Sequence, residues 1–262
     1  SFTNGLSSKD FEDKINENTK VIYIETPSNP LLTITDLAAV SKLAKKHGLV
    51  SMIDNTFASP VNQNPIDFGI DVVIHSATKY MGGHSDILAG AVASSKENME
   101  KIWQVAKNLG GSLSDFMVWM LERSIKTLSL RVNKQNENAI KIAEYLTTVD
   151  KVKSVYYPGL KSHSNHELSK KQMKGFGGML SFELSDLDTA ILFTRKLNLV
   201  KSAMSLGGVE STLCSPSLTS HSKISKAERE NLGIFDGLLR FSIGIEDSED
   251  IIDDLNQAFE KI

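Results

Sequence analysis

The stretch Asp71-Val72-Val73-Ile74-His75-Ser76-Ala77-Thr78-Lys79-Tyr80 joins a short apolar, β-branched run to two hydroxyl side chains and one lysine. Residues 72–74 predict a buried strand. A lysine just beyond the carboxyl end of such a strand lies where open α/β sheets bind their ligands. Lysine can form a Schiff base with a carbonyl cofactor, and Ser76 and Thr78 are placed to bind a phosphate beside it. The alternative interpretation is a strand followed by a solvated lysine.

A second apolar run, residues 49–53, predicts another buried strand, and it ends at Asp54. Pyridoxal 5'-phosphate (PLP) needs a carboxylate against its ring nitrogen, because the protonated ring accepts electrons from the substrate. The segment between Asp54 and Lys79 is long enough for one helical crossover between parallel strands. Taken alone, Asp54 is better explained as the N-cap of the next helix.

A third predicted strand, residues 21–24, ends at the segment Glu25-Thr26-Pro27-Ser28-Asn29-Pro30. Asn29 lies between two prolines that stiffen the backbone on both sides, although a plain turn would also explain it. Three successive strands thus end in polar groups suited to one cofactor. Together they predict a PLP site more strongly than any one of them does.

These motifs, with three further ones, resemble the Cys/Met-metabolism PLP enzymes, the transsulfuration branch of the fold-type-I PLP enzymes. The resemblance covers essentially the whole chain and rests on residues 25–30, 54–57, 76–80, 83–86, 205–211 and 237–247. It implies an α/β fold of the aspartate aminotransferase-like, fold-type-I PLP-dependent transferase class. Such a fold has a mostly parallel large-domain sheet and a smaller α+β C-terminal domain.

The hydrophobic pattern divides the chain in the same way. Residues 1–130 are expected to form the PLP-binding large domain, N-terminally incomplete, and residues 131–262 a C-terminal α+β domain. A long helix over residues 128–147 is expected to link them, and a shorter helix over residues 35–47 is expected to begin at Thr35 or Asp36 and to end before Gly48. The spacing of Phe116, Trp119, Met120 and Arg123 predicts a core-facing helix stripe.

The resemblance assigns roles to single residues. Lys79 would hold PLP and act as the catalytic base, Asp54 would face the ring nitrogen, and Ser76 and Thr78 would bind the phosphate. Asn29 is expected to contact the cofactor. Arg240, Ser205 and Asn29 are expected to bind the substrate carboxylate. A guanidinium binds a carboxylate through two parallel hydrogen bonds, although an ion pair at a strand end is the ordinary role of such an arginine.

The implied activity is cleavage of C–S bonds in sulfur amino acids by α,γ-elimination, as in cystathionine γ-lyase. Cystathionine β-lyase, methionine γ-lyase and cystathionine γ-synthase activities are alternatives. Met204 leaves the first two open and weakens a strict cystathionine γ-lyase assignment, because cystathionine γ-lyases and γ-synthases usually carry a glutamate at that position. Another fold-type-I enzyme, such as an aminotransferase, would use the same lysine, aspartate and arginine. A catalytically incomplete fragment is a further alternative, because the family's N-terminal portion is not found in this sequence.

The composition of the chain limits the classes of partner that we expect it to bind. The chain has 262 residues and a net charge of −3, which gives no sign of a nucleic-acid partner. No apolar run approaches the ~20 residues that a membrane-spanning helix needs. One cysteine and six scattered histidines predict no disulfide and no metal site, and they favour the cytoplasm. The expected partner is a small amino-acid substrate, and the resemblance implies a homotetramer, a dimer of dimers, for the full-length protein.

Overall fold

The computed structural model describes residues 1–3, 5 and 7–262. Its first sheet has the order β1-β2-β3-β4, formed by β1 (Val21–Glu25), β2 (Val50–Asp54), β3 (Val72–Ser76) and β4 (Gly90–Ser94). The first three strands are parallel, and β4 pairs antiparallel with β3. The carboxyl ends of β1, β2 and β3 therefore meet at one edge of the sheet.

The helices of this half lie between and after the strands: α1 (Ser8–Glu12), α2 (Leu37–Lys46), α3 (Ser59–Asn62), α4 (Lys96–Leu109) and α5 (Asp115–Ile125), with a 3-10 turn at Pro65–Phe68. The predicted helix after β1 is confirmed as α2. The Asp36 side chain accepts the Ala39 N–H at 2.9 Å, and Gly48 takes a positive φ of 65° just after the helix. One face of α2 packs on β1, β2 and β3 through Leu37, Val40, Leu43, Ala44, Ile22, Ile24, Ile53 and Val73.

The second sheet is mainly antiparallel and has the order β5-β6-β9-β8-β7. Its strands are β5 (Ser154–Tyr156), β6 (Met179–Glu183), β7 (Lys201–Ser202), β8 (Thr212–Cys214) and β9 (Leu238–Ser242). Only the β7–β8 pair is parallel. The helices around it are α7 (His166–Gln172), α8 (Leu187–Lys196), α9 (Lys226–Asn231) and α10 (Ser248–Phe259), with a 3-10 turn at Pro216–Leu218.

The core of this second half is aromatic and aliphatic. Phe182 on β6 packs edge-on against Phe193 of α8 and Phe241 of β9, and all three are fully buried. Phe193 in turn packs on Phe259 of α10. β9 is the central strand of this sheet, between β6 and β8, and these two strands hold it in place on both sides.

A long helix, α6 (Leu128–Leu146), connects the two sheets, as the sequence predicts. Val132, Ala139, Ile142, Ala143 and Leu146 are buried along it. The expected domain boundary, residues 130 and 131, falls in its first turn, and the division into residues 1–130 and 131–262 stays a prediction.

The expected mostly parallel sheet is confirmed, with β4 as one antiparallel strand at its edge, because residues 77–89 join β3 to β4 without a crossover helix. One expectation about the first half is wrong. The helical stripe at Phe116 and Trp119 does not face a core: their exposed fractions are 61% and 57%. Within the described part of the chain, Ser124 is the one buried residue of α5, so periodicity alone did not reveal which face packs.

No helix among the described residues is both long enough and apolar enough to cross a membrane.

Candidate active site

The ends of three strands bring the predicted cofactor residues side by side. Glu25 pairs in register with Asp54, and Asp54 pairs with Ile74, two residues before Ser76. Thr56 fastens the edge: its N–H donates to the Asp54 carboxylate at 2.9 Å, and its hydroxyl accepts the Ser76 N–H at 2.8 Å. Because neighbouring strands lie roughly 4.8 Å apart, these side chains form one polar cluster.

Lys79 lies in the turn that follows β3. Its N–H donates to the Ser76 carbonyl at 3.0 Å, which anchors the turn to the strand end. Burial, and next the charge of Arg240, lower the pKa of the Lys79 amine. No ion pair among the described residues involves Lys79. A half-buried amine of this kind is suited to nucleophilic and base chemistry.

The two hydroxyls predicted to bind phosphate are placed differently. Thr78 donates its hydroxyl to the Ala89 carbonyl at 3.2 Å and accepts the Ala89 N–H at 3.0 Å. It thus holds the loop to β4. The Ser76 hydroxyl makes no hydrogen bond within the described part of the chain. Of the pair, Ser76 is the one with its hydroxyl available to a phosphate oxygen.

Arg240 comes to the same place from the middle of β9. It is buried, and its Nη1 donates to Asn29 Oδ1 at 3.1 Å while its Nη2 donates to the Met204 carbonyl at 2.7 Å. Ser205 follows Met204 directly. The fold therefore unites the three predicted carboxylate-binding residues, although Asn29 and Arg240 stand 211 positions apart in the sequence.

Glu25 is a site residue that sequence reasoning missed. Its Oε1 accepts the Asn29 N–H at 2.9 Å. Although the side chain keeps an exposed surface, burial of the carboxyl, and then the charge of Asp54, raise the pKa of Glu25 to about 7, against the opposing effects of Asn29 and Arg240. Its position at the end of a strand beside Asp54 was the available signal, but only the strand register makes the two carboxyls neighbours.

His75 is a second residue near the site with a strongly shifted pKa. The side chain is buried on β3 next to Ser76. Burial lowers the pKa of His75 to about 4, although the nearby charge of Asp54 opposes the shift. The imidazole is therefore neutral at physiological pH.

A cavity of about 1050 Å³ borders the site rather than enclosing it. Its lining includes Glu25, Ser28, Asn29 and His221, but neither Lys79 nor Asp54. The cluster of polar side chains, and not this cavity, defines the site.

The donor set fits PLP. Lys79 offers an amine and Ser76 a hydroxyl, neither of which is paired among the described residues, for the aldehyde and the phosphate, and Asp54 offers a carboxylate for the ring nitrogen. Arg240 adds a fixed cation for a carboxylate beside that group. This combination supports amino-acid chemistry on a carbonyl cofactor.

Comparison with known proteins gives the family. The model of the Cys/Met metabolism PLP-dependent enzymes matches residues 1–260. The chain belongs to this family. It is thus a PLP-dependent enzyme chain, and the prediction of the cofactor is confirmed.

Relatives in this family include a cystathionine beta-lyase of Lactococcus lactis subsp. cremoris (strain MG1363), 48% identical over 253 residues, which are 96% of this chain and 67% of the relative. A cystathionine gamma-lyase of Bacillus subtilis (strain 168) is 47% identical over 262 residues, 100% of this chain and 69% of the relative. The chain therefore spans about two thirds of the length of these family members.

The fold prediction is confirmed by a solved structure. The crystal structure of cystathionine gamma-lyase from Lactobacillus plantarum, complexed with L-serine, superposes with a TM-score of 0.94 at 43% identity, covering 98% of this chain and 68% of that one. The chain thus has the α/β fold of the fold-type-I family members.

Proposed function

We propose that this protein is a PLP-dependent lyase that cleaves C–S bonds of sulfur amino acids, in the manner of cystathionine γ-lyase. The observation that carries the proposal is the convergence of Lys79, Asp54, Asn29 and Arg240 from two sheets onto one site. Relatives named cystathionine beta-lyase, cystathionine gamma-lyase and L-methionine gamma-lyase are 42–48% identical to this chain. C–S cleavage is the chemistry that these names share.

PLP, when bound, supplies an electron sink for the bond that breaks at the substrate Cα. The protein's part would begin with Lys79, whose amine would hold the cofactor through its aldehyde. Burial and the charge of Arg240 lower the pKa of Lys79, which favours the neutral amine that would remove the Cα proton. The same amine could then deliver that proton to another carbon of the substrate.

The residues around Lys79 would hold and orient the reactants. Asp54 would keep the ring nitrogen protonated, and the Ser76 hydroxyl would donate to the phosphate. Thr78, proposed from the resemblance as a second phosphate ligand, instead positions the loop through Ala89 as the structure stands. Its assignment to the phosphate therefore requires the O–H to turn away from the Ala89 carbonyl, while the hydroxyl oxygen can still accept the Ala89 N–H.

Arg240 would bind the substrate α-carboxylate. A guanidinium has five N–H donors, and within the described part of the chain Arg240 uses two of them, for Asn29 and Met204. The remaining donors are free to pair with a carboxylate, joined by the Asn29 amide and the Ser205 hydroxyl. Because Arg240 is held on both sides, the carboxylate would be bound in one orientation.

Methionine γ-lyase activity is a second candidate, and Met204 favours it. This side chain is largely exposed beside the carboxylate-binding residues and carries no charge. It offers an apolar thioether contact and no counter-ion for a distal substrate ammonium. Cystathionine β-lyase and γ-synthase activities are the other members of the same set of candidates.

We further propose a cytoplasmic homotetramer, a dimer of dimers, with a large domain over residues 1–130 and a C-terminal domain over residues 131–262. The support is the family membership together with the two separate sheets that α6 connects. Size-exclusion chromatography with light scattering on the natural polypeptide that carries this sequence tests the assembly.

The test of function uses that same polypeptide, purified with PLP. Borohydride reduction followed by peptide mass mapping is expected to fix the cofactor on Lys79. Cystathionine and methionine are then supplied separately, and the thiol, keto acid and ammonia are measured. Release of a new amino acid from an added keto acid, without any thiol, would favour an aminotransferase instead.

One matched pair of variants and one single variant sharpen the test. Lys79→Ala is expected to abolish attachment and turnover, whereas Lys126→Ala, at an exposed lysine of the first half, leaves both unchanged. Ser76→Ala is expected to weaken PLP binding at least tenfold, because a hydrogen bond to a charged group is worth about 1.5–3 kcal/mol. Full turnover by the Lys79→Ala protein would refute the mechanism.

A further inference from the structure

The helix α6 carries three buried polar residues on one face. Arg131, Gln135 and Asn138 follow the i, i+4, i+7 spacing of a helix stripe, and their exposed fractions are 4%, 0% and 0%. We call these three residues the polar stripe of α6. Buried polar groups are unfavourable unless they are hydrogen-bonded, so the partners of this stripe reveal its purpose.

Arg131 is bonded to the loop that follows Lys79. Its Nη1 donates to the Tyr80 carbonyl at 2.7 Å and its Nη2 to the Met81 carbonyl at 3.3 Å. Its other bonds, to the Ser124 carbonyl and the Thr127 hydroxyl, lie within its own helical hairpin. No carboxylate of the described residues forms an ion pair with it. The guanidinium thus holds main-chain carbonyls and balances no charge.

The other two members hold the remaining loops of the site. Gln135 donates its Nε2 to the Gly208 carbonyl at 2.7 Å, three residues after Ser205. Asn138 donates its Nδ2 to the Gly244 carbonyl at 3.1 Å and to the Glu246 carbonyl at 2.8 Å, just after the strand that carries Arg240. One helix face therefore bonds to the main chain of all three functional loops.

Packing alone does not explain these side chains. Gln135 Oε1 and Asn138 Oδ1 are buried, and neither has a hydrogen-bond partner among the described residues. A leucine or methionine would fill a similar volume without burying an unpaired acceptor, which costs free energy. What the amides add is their N–H donors, and both donate to loop carbonyls.

We propose that the polar stripe of α6 is the positioning device that fixes three loops relative to one another: the Lys79 loop, the Ser205 loop and the loop that follows the Arg240 strand. The proposal rests on the proposed function, which makes these three loops one site. The stripe residues touch main chain and not the reactants, so they are positioning residues. A displacement of about 1 Å at a reacting group can cost two orders of magnitude in rate, so a shared rigid support matters.

The experiment separates the three contacts. Arg131→Met, Gln135→Met and Asn138→Leu each remove one set of donors, and Glu137→Met, on the exposed face of the same helix, is the control. Arg131→Met is expected to reduce PLP retention about tenfold and to shift the pH titration of the absorption band of Lys79-bound PLP. Gln135→Met and Asn138→Leu are expected to leave that band unchanged and to raise the Kd of glycine, a carboxylate ligand without a leaving group, about tenfold.

A second readout needs no cofactor. Hydrogen exchange followed by mass spectrometry is expected to speed up in residues 79–83 for Arg131→Met, in residues 205–210 for Gln135→Met and in residues 243–247 for Asn138→Leu. Arg131→Lys, which keeps a donor for one carbonyl, is expected to restore part of the PLP retention, and it replaces Arg131→Met if that variant does not fold.

The outcomes are distinct. If each variant perturbs its own loop and its own binding step, the proposal holds. If all variants lose both binding steps in proportion to a lowered melting temperature, or if exchange speeds up uniformly, the stripe is only structural and the proposal is overturned. If the parent protein attaches no PLP, the proposed function fails, while the exchange pattern still decides whether the stripe holds the three loops.

Discussion

His75→Gln gives a test of the electrostatics beside the site. The imidazole is buried on β3, and burial lowers its pKa from 6.5 to about 4, against the opposing charge of Asp54. Between these two values the unfolded chain binds a proton that the folded chain rejects. The contribution of His75 to the free energy of unfolding therefore rises with pH across this window. As the pH falls from 6.5 towards 4, His75 lowers the stability of the folded chain.

The size of the effect follows from the shift. One pKa unit corresponds to about 1.4 kcal/mol, so the full shift corresponds to roughly 3 kcal/mol. Over the practical range from pH 7.5 to pH 5, the linkage relation gives a loss of about 2 kcal/mol from this residue. The charges facing it include Asp54, which limits the loss because its carboxylate favours the protonated imidazole.

The assay is urea unfolding of the protein without added PLP at several pH values from 5 to 7.5. The parent minus His75→Gln difference in unfolding free energy is expected to change by about 2 kcal/mol over this range. His84→Gln, which replaces an exposed histidine that donates to or accepts from its own loop, is the control. A difference that stays constant with pH would refute the assignment of a buried, neutral His75.

Further predictions concern other parts of the chain. Arg240→Lys is expected to raise the KM for the amino-acid substrate at least tenfold in steady-state assays, because lysine cannot form the two parallel bonds to a carboxylate. Glu25→Gln is expected to remove a pH effect opposite to that of His75: since the pKa of Glu25 is raised from 4.5 to about 7, the parent-minus-variant difference in unfolding free energy, measured with urea, falls as the pH rises through this range. Gly83→Ala is expected to cost about 1–3 kcal/mol by urea unfolding, because φ is 72° there and a new Cβ meets the Arg131 guanidinium. Phe182→Ala is expected to cost about 3–5 kcal/mol in the same measurement, since the ring lies fully buried between two others.

The local sequence was sufficient to predict the strands and the helix near the cofactor residues. Apolar β-branched runs predicted β1, β2 and β3, and the polar residue at each strand end predicted Asp54 and Lys79 as neighbours. The cap and the glycine of α2 were readable for the same reason: both are determined by backbone chemistry within a few residues. The antiparallel β4, the two-residue β7 and the exposed face of α5 were not, because they depend on which partner strand or covering element lies nearby.

The distinction is clearest in the site itself. The sequence by itself determined the chemistry: one lysine, one aspartate and one arginine in motifs specific enough to indicate the family and its cofactor. Only the tertiary structure decided that Glu25 lies beside Asp54, that Thr78 is bonded to Ala89 while Ser76 stays free, and that Arg131, Gln135 and Asn138 hold three distant loops. The physical reason is that covalent neighbours fix a residue's type and local conformation, whereas register, burial and charge proximity arise only when segments remote in sequence pack together.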